Sequence, residues 1–414
     1  MKIKNIDNKG VALLISLLAG MALILISISA MIIVSTNVFI GKNTKDLTAS
    51  LYIAEAGAYK ALNVVNSSTS NYAALSTGRV TTILSSDSIG NGTDSATVER
   101  IATDANGKAI IRLNSTGYTG TSNKIISIVL APEYDSKFKY AAFAKNKISF
   151  SGNFTAVDSY DSSKGAYGGT NVSSDGDIGI NSIATEALDI GNGDVYGDAY
   201  IGPSGNVSTV IKTQAGAVLT GIKGVLPEAV NLPPVTIPAF SGAEVKSSVT
   251  LSPGNFGELE LSGTNTVTLD AGASNPGKFY FTSIKLSGSS QITTTGNVEI
   301  YVLGNLDASG NGIVNSTGDT SRLTIYVQKN DTDGDGIANN TIKLSGNGGF
   351  YGGIYAPDVP VTVTGNGDIF GSIVGSSIDL TGQGKVHYDK KMSYGGGGGG
   401  STITKYVIKS WKEI

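Results

Sequence analysis

Between residues 344 and 384 the chain reads LSGNGGFYGGIYAPDVPVTVTGNGDIFGSIVGSSIDLTGQG. One unit recurs in it: an apolar residue, Ser or Thr, Gly, Asn or Gln, Gly, as Leu344-Ser-Gly-Asn-Gly348, Val363-Thr-Gly-Asn-Gly367 and Leu380-Thr-Gly-Gln-Gly384. Gly346, Gly365 and Gly382 stand 19 and 17 residues apart. Looser versions begin at Phe150, Leu261, Leu286 and Ala308, the last three placing Gly263, Gly288 and Gly310 at intervals of 25 and 22. A period near 20 residues, with short alternation such as Thr341-Ile-Lys-Leu and Val361-Thr-Val, predicts a β-solenoid. Each inward Leu, Ile or Val then lies over its equivalent in the next coil, and the glycines are expected to take left-handed backbone at the corners. The spacing is too irregular for a hexapeptide left-handed helix, so a right-handed parallel β-helix is expected over 136–392; a β-sandwich is the alternative that the period disfavours. At about 20 residues per coil and ~4.8 Å between strands, the region makes roughly a dozen coils. Its Pro-rich interval, 226–240, holds four of the ten prolines, fits no central strand and reads as a crossover between two solenoid halves.

Working towards the N-terminus, 96–103, 109–116 and 124–131 are strand-like runs. Asp104-Ala-Asn-Gly107 and Gly117-Tyr-Thr-Gly120 join them as turns, which predicts a small antiparallel sheet in a domain spanning 66–135 that Pro132 closes. Residues 66–91 read as a polar loop with room for one short element. Before it, residues 11–65 read as one helix. Leu47, Leu51, Ala54, Ala58, Ala61, Leu62 and Val65 recur at helical spacing and mark a packed face. Its first part, 11–34, is VALLISLLAGMALILISISAMIIV, 24 residues without a charge, long enough to cross a membrane. The basic segment 1–10, with Lys2, Lys4 and Lys9, reads as a leader ending at Gly10, because no small-residue cleavage site follows the apolar run. A plain anchor with its basic end in the cytoplasm is the simpler alternative.

Gly10-Val11 before an apolar core, and Ala49-Ser-Leu-Tyr-Ile-Ala-Glu-Ala-Gly57 farther along, resemble the N-terminal part of PilX-type minor pilins of type IV pili. The Val157-Asp-Ser-Tyr-Asp stretch, Phe350-Tyr-Gly-Gly-Ile-Tyr-Ala-Pro, Ile369-Phe-Gly-Ser-Ile-Val-Gly and Val386-His-Tyr-Asp resemble the solenoid found behind such N-termini. The resemblance implies cleavage after Gly10 by a prepilin peptidase, methylation at Val11, residence in the bacterial inner membrane before assembly, and then a place in the pilus at the cell surface, with other pilins or pseudopilins as partners through the helix. Major pilins carry Glu at the fifth mature position. Ile15 stands there in this chain, which argues for a minor subunit serving assembly initiation or adhesion. A membrane-anchored surface β-helix that binds carbohydrate or ice outside any filament is the alternative.

Composition narrows the chemistry. The 414 residues include 55 Gly and one His but no Cys, which removes disulfides, thiolate catalysis and two-His metal sites. A net charge of −3 with four Arg gives no footprint for nucleic acid. The fold class is therefore mostly β behind a long transmembrane helix, and a non-enzymatic surface protein is expected. Asp331-Thr-Asp-Gly-Asp-Gly-Ile337 opens like a calcium loop, with carboxylates from Asp331, Asp333 and Asp335 and a carbonyl from Ile337, but Ile342 stands where an EF-hand has Glu. Calcium is the one cofactor the sequence raises; a solvated Asp/Gly turn is the alternative. His387 is expected to cap the last coil. Asp158, Asp161, Asp175 and Asp177 suit corners better than catalysis. In 393–414, a linker of six glycines precedes a strand containing Tyr406, Val407, Ile408 and Trp411, which needs an apolar surface; the small sheet is the favoured acceptor.

Overall fold

A computed structural model describes residues 8–104, 108–120, 122–134, 136–151, 156–346, 348–394 and 403–414. The Gly395–Gly400 linker lies outside them. The chain divides into two units, Met1–Glu133 with Thr404–Ile414, and Tyr134–Ile403.

In the first unit a single helix runs Asn8–Ser67, about 90 Å at 1.5 Å per residue. It has two regimes. Every residue of 11–34 except Gly20 is exposed, whereas Ser50, Ile53, Ala54, Gly57, Ala58, Ala61 and Val65 are buried. The buried face is made of small residues because the helix lies almost on the backbone of the strand Ala109–Thr119. A Cβ on Gly117 would sit 2.2 Å from the Ser50 carbonyl oxygen, and one on Gly57 would sit 2.7 Å from Ser115 Oγ. The larger Leu47, Leu51 and Leu62 are half-buried beside this contact. The Ala-Glu-Ala-Gly segment is thus the close-approach surface of helix on sheet.

The sheet has five strands, in the order Val80–Ile89, Gly92–Thr103, Ala109–Thr119, Ser122–Tyr134 and Ile403–Glu413. Three expectations are corrected. The short element allowed in the polar loop is a ten-residue strand, Val80–Ile89, a half-exposed edge whose register slips twice, around Leu84. Its Ser and Asp residues hide a β-branched pattern, as edge strands do when they discourage further pairing. The Gly117-Tyr-Thr-Gly120 turn is shorter than expected: the strand continues to Thr119, which pairs with Ser122. Pro132 lies inside the strand Ser122–Tyr134 and does not end it. The C-terminal strand runs along this last strand in the opposite direction, with Thr404 Oγ1 donating to Glu133 O and Ile414 N–H donating to Ile125 O at 2.9 Å. Tyr406 is its buried anchor, its hydroxyl donating to Ala109 O at 3.1 Å.

The second unit is a stack of parallel strands. One inward column reads Phe279, Ile300, Ile325, Ile354, Ile373, Ala142, Ile178, Ala199, each buried and each paired in register with the next. A second reads Leu259, Ile284, Leu306, Ile342, Val361, Ile378, Ile148, Leu188, Ile211. With Gly254 and Lys223 at its ends, the first column crosses ten coils, fewer than the dozen expected. Insertions account for the difference: 36 residues separate Leu306 from Ile342, and no strand occurs between Val225 and Val249.

The columns are not in chain order. After Ile373 the next neighbour is Ala142, so the last coil stacks on the first. The chain starts mid-stack, winds outward to Val225, crosses over, restarts at the far end with Val249, and winds back to meet its own beginning. The crossover runs along one face: Asn181 exchanges two 2.8 Å hydrogen bonds with Val230, Tyr355 Oη donates to Pro233 O, and Gln328 accepts from Ile237 N–H. Leu226 and Leu232 are buried there among Phe138, Phe143, Tyr326 and Tyr355.

The glycines of the repeat have two causes, only one of them expected. Gly310 has φ +71°, the left-handed corner. Gly365 and Gly382 are not left-handed. They are glycines because the coils touch: a Cβ on Gly382 would meet Gly365 O at 1.8 Å, and one on Gly365 would meet Gly346 O at 2.0 Å.

Candidate functional site

Four features bear on function, the first being the helix N-terminus. Gly10 and Val11 lie in its opening turns. Ser16, Ser27 and Ser29, the hydroxyls of the apolar span, each donate to the carbonyl three or four residues earlier at 2.8 Å. Their polar groups are therefore satisfied within the helix, as a hydrocarbon surrounding requires. The helix is long and apolar enough to cross a membrane.

The second is the loop between strands Leu323–Val327 and Ile342–Leu344. Carboxylate oxygens of Asp331, Asp333 and Asp335 lie within 4.8 Å of one another. Asp331 accepts from the N–H groups of Gly334 (2.8 Å) and Gly336 (3.0 Å) and from Lys329 Nζ (3.0 Å), and that lysine holds its carboxyl below the ordinary value. Asp335 accepts from Ile337 N–H at 2.7 Å. The Ile337 side chain is exposed. Asn339 spends its amide oxygen on Thr332 and donates to Asp333 at 3.3 Å. The donor set suits a hard cation with oxygen ligands, and Lys329 would compete with it for Asp331.

The third is the seam where the last coil meets the first. The strand Val386–Asp389 lies between Ile369–Leu380 and Ala156–Tyr160. The four segments that resemble a pilus-linked solenoid thus lie on neighbouring strands. His387 does not cap an end; it is buried in this seam. Its Nδ1 is 2.6 Å from Asp158 Oδ1 and its Nε2 is 3.6 Å from Asp368 Oδ2. The Tyr167 ring lies 3.8 Å from the imidazole, and its hydroxyl donates to Asp158 at 2.7 Å. Burial disfavours the imidazolium, but the two carboxylates outweigh it and raise the histidine above its ordinary value; His387 in turn lowers Asp368. The arrangement holds the imidazole between two carboxylates. Asp389 extends the staple, accepting from Ser162 N–H at 3.0 Å and from Thr320 Oγ1 at 2.5 Å. Of the other aspartates, Asp161 accepts from Ser163 N–H, Asp175 pairs with Lys390 at 2.8 Å, and Asp177 accepts from Asp198 N–H. Asp158 and His387 are each conspicuous in sequence, but with 229 positions between them no local pattern links them.

A second, four-stranded parallel sheet comprises Val249–Leu251, Thr266–Asp270, Gln291–Thr295 and Gly312–Asn315. Thr250, Thr268 and Thr293 align on its outer face, with Thr268 Oγ1 and Thr293 Oγ1 3.0 Å apart.

Residues 238–394 match a family described as a domain of unknown function, DUF7305. No curated protein matches the chain in sequence. Three solved structures are similar to it. The competence-associated pilin ComZ from Thermus thermophilus has 10% identity and a TM-score of 0.29 over 89% of this chain and 97% of its own. A glycosylated ice-binding protein, LeIBP, from an Arctic yeast has 15% identity and a TM-score of 0.28 over 62% of this chain and 94% of its own. The DUF3494 domain of Shewanella frigidimarina ice-binding protein_1 has 12% identity and a TM-score of 0.28 over 63% of this chain and 100% of its own.

Proposed function

We propose that the chain is a minor pilin or pseudopilin, a non-enzymatic subunit that a prepilin peptidase cuts between Gly10 and Val11. Its helix would leave the bacterial inner membrane to pack among other pilins, and its right-handed solenoid would be presented at the tip or side of the filament for assembly initiation or adhesion. One observation carries this reading: the helix is divided between a 50–65 face of small residues seated on its own sheet and an 11–34 segment left exposed. Such a helix has one half committed to its own chain and the other available to lipid or to neighbouring helices. N-terminal mass spectrometry of the protein purified from membranes should find Val11 first, carrying a methyl group. A retained Met1 would favour the second reading, a permanently anchored surface β-helix that binds carbohydrate or ice, to which the three aligned threonines of the four-stranded sheet lend a short row of hydroxyls.

Calcium belongs to the same proposal. Displacing Lys329 from Asp331 would let a cation draw the three carboxylates together and tie the loop down. The full chain in detergent micelles should therefore melt higher in millimolar calcium than with chelator, and Asp333→Ala should remove the difference. Equal melting temperatures in the wild-type protein would leave the segment an Asp/Gly turn.

A further inference from the structure

The seam encloses more than a histidine. Beside it opens a cleft of about 460 Å³, within the ~300–1,000 Å³ of small-ligand sites. Aromatic rings line it: Tyr351 and Phe370, on adjacent strands, are parallel at 4.3 Å, and Tyr160 and Tyr167 meet Phe370 edge-on at 6.2 and 5.7 Å. Asp319 is the one charged residue in its lining, and it is neutralised: Lys391 Nζ lies 2.8 and 3.0 Å from its two oxygens, with Arg322 Nε at 3.5 Å. Ser162 also lines the cleft, and its Oγ is shut off from solvent with no hydrogen-bond partner among the described residues.

We propose that this cleft binds a neutral sugar, a pyranose unit of a surface glycan. The apolar C–H face of a pyranose complements the negative face of an aromatic ring, and its hydroxyls match the tyrosine hydroxyls. With Asp319 paired to Lys391 and Arg322, the lining offers no free charge to a cationic or an anionic ligand. The cleft exists only because the two ends of the solenoid domain meet: Tyr160 and Tyr167 come from its first coils, Tyr351 and Phe370 from its last. It would serve a filament-borne or a membrane-anchored protein alike, so the proposal is independent of the filament reading.

The test uses the full chain in detergent micelles, with the β-linked trimers of glucose and of N-acetylglucosamine as probes and saturation-transfer NMR as the readout. One of the two trimers should bind. Tyr351→Ala should weaken binding ~tenfold, the loss expected for one stacked ring. Ala166→Trp, at an exposed lining position, should fill the cleft and abolish binding without changing the melting temperature. Tyr280→Ala, in the stacked Tyr280–Tyr301–Tyr326 row elsewhere on the solenoid, should leave affinity unchanged. Failure of both trimers to bind the wild-type protein, or binding that survives Ala166→Trp, overturns the proposal.

Discussion

Gly117→Ala, the addition of one methyl group, should destabilise the first unit by ~3 kcal/mol, the upper end of what overpacking costs. For a unit of this size that is a fall in melting temperature of about 10 °C. The new Cβ would lie 2.2 Å from the Ser50 carbonyl oxygen and 2.5 Å from the Ala54 nitrogen, both helix backbone atoms. Backbone cannot swing aside as a side chain can, so helix and sheet must separate, and the loss spreads over Ala54, Ala58 and Ala61, which are fully buried in that contact. Gly57→Ala meets Ser115 Oγ and Asp94 Oδ2, at 2.7 and 2.9 Å, and these side chains can yield, so its cost should be smaller. Gly41→Ala meets nothing within 4 Å and should be neutral or slightly stabilising, since alanine is the better helix former. Thermal unfolding of the three variants in micelles tests the order. A Gly117→Ala protein that melts with the wild type would mean that helix and sheet are not held this closely.

The second large effect concerns the solenoid seam. His387→Ala removes a buried imidazole stacked between Tyr167 and Phe370, at 3.8 and 4.8 Å, and leaves Asp158 with Tyr167 as its remaining side-chain partner. Breaking a buried ion pair from one side costs ~3–5 kcal/mol, and this one joins the first coil to the last. The wild-type protein should also be pH-dependent. Asp158 and Asp368 raise the folded histidine above its ordinary 6.5, so its contribution is complete below that value and is lost as pH rises through the higher folded one. Asp368, lowered by His387, acts in the opposite sense: its contribution is present above the ordinary 3.8 and is lost as pH falls through the lower folded value. The second unit should accordingly melt higher near pH 6 than near pH 8. His387→Gln, which keeps a donor for Asp158 without a charge, should flatten this dependence. A His387→Gln protein with the wild-type slope would place the titrating group elsewhere.

What could be read from sequence alone was whatever depends on near neighbours in the chain. The uncharged 11–34 run makes a helix fit for a membrane because every turn repeats the same apolar choice. The 17- to 25-residue spacing of apolar-Ser/Thr-Gly units implies parallel coils because each coil must bury the same face. The apolar residues of the last strand call for a sheet to dock on, and they find one, although Tyr406 is buried there while Ile408 and Trp411 stay exposed. The DxDxDG segment gathers its three carboxylates because alternate positions of one tight loop are close under almost any fold.

Tertiary contacts decided the rest. Val80–Ile89 is a strand because Gly92–Thr103 offers it an edge, and its own polar residues conceal that. Gly365 and Gly382 look like corner glycines, yet it is the carbonyl of the coil beneath that forbids a side chain there. Nothing local says that Ile373 neighbours Ala142, since the period of a solenoid specifies how coils stack but not which coil comes first. That choice depends on the Pro-rich crossover, whose Leu226 and Leu232 bury themselves on the aromatic face and carry the chain to the far end. From the one long-range join come the Asp158–His387–Asp368 clamp and the aromatic cleft, each built from residues that only closure of the stack brings together.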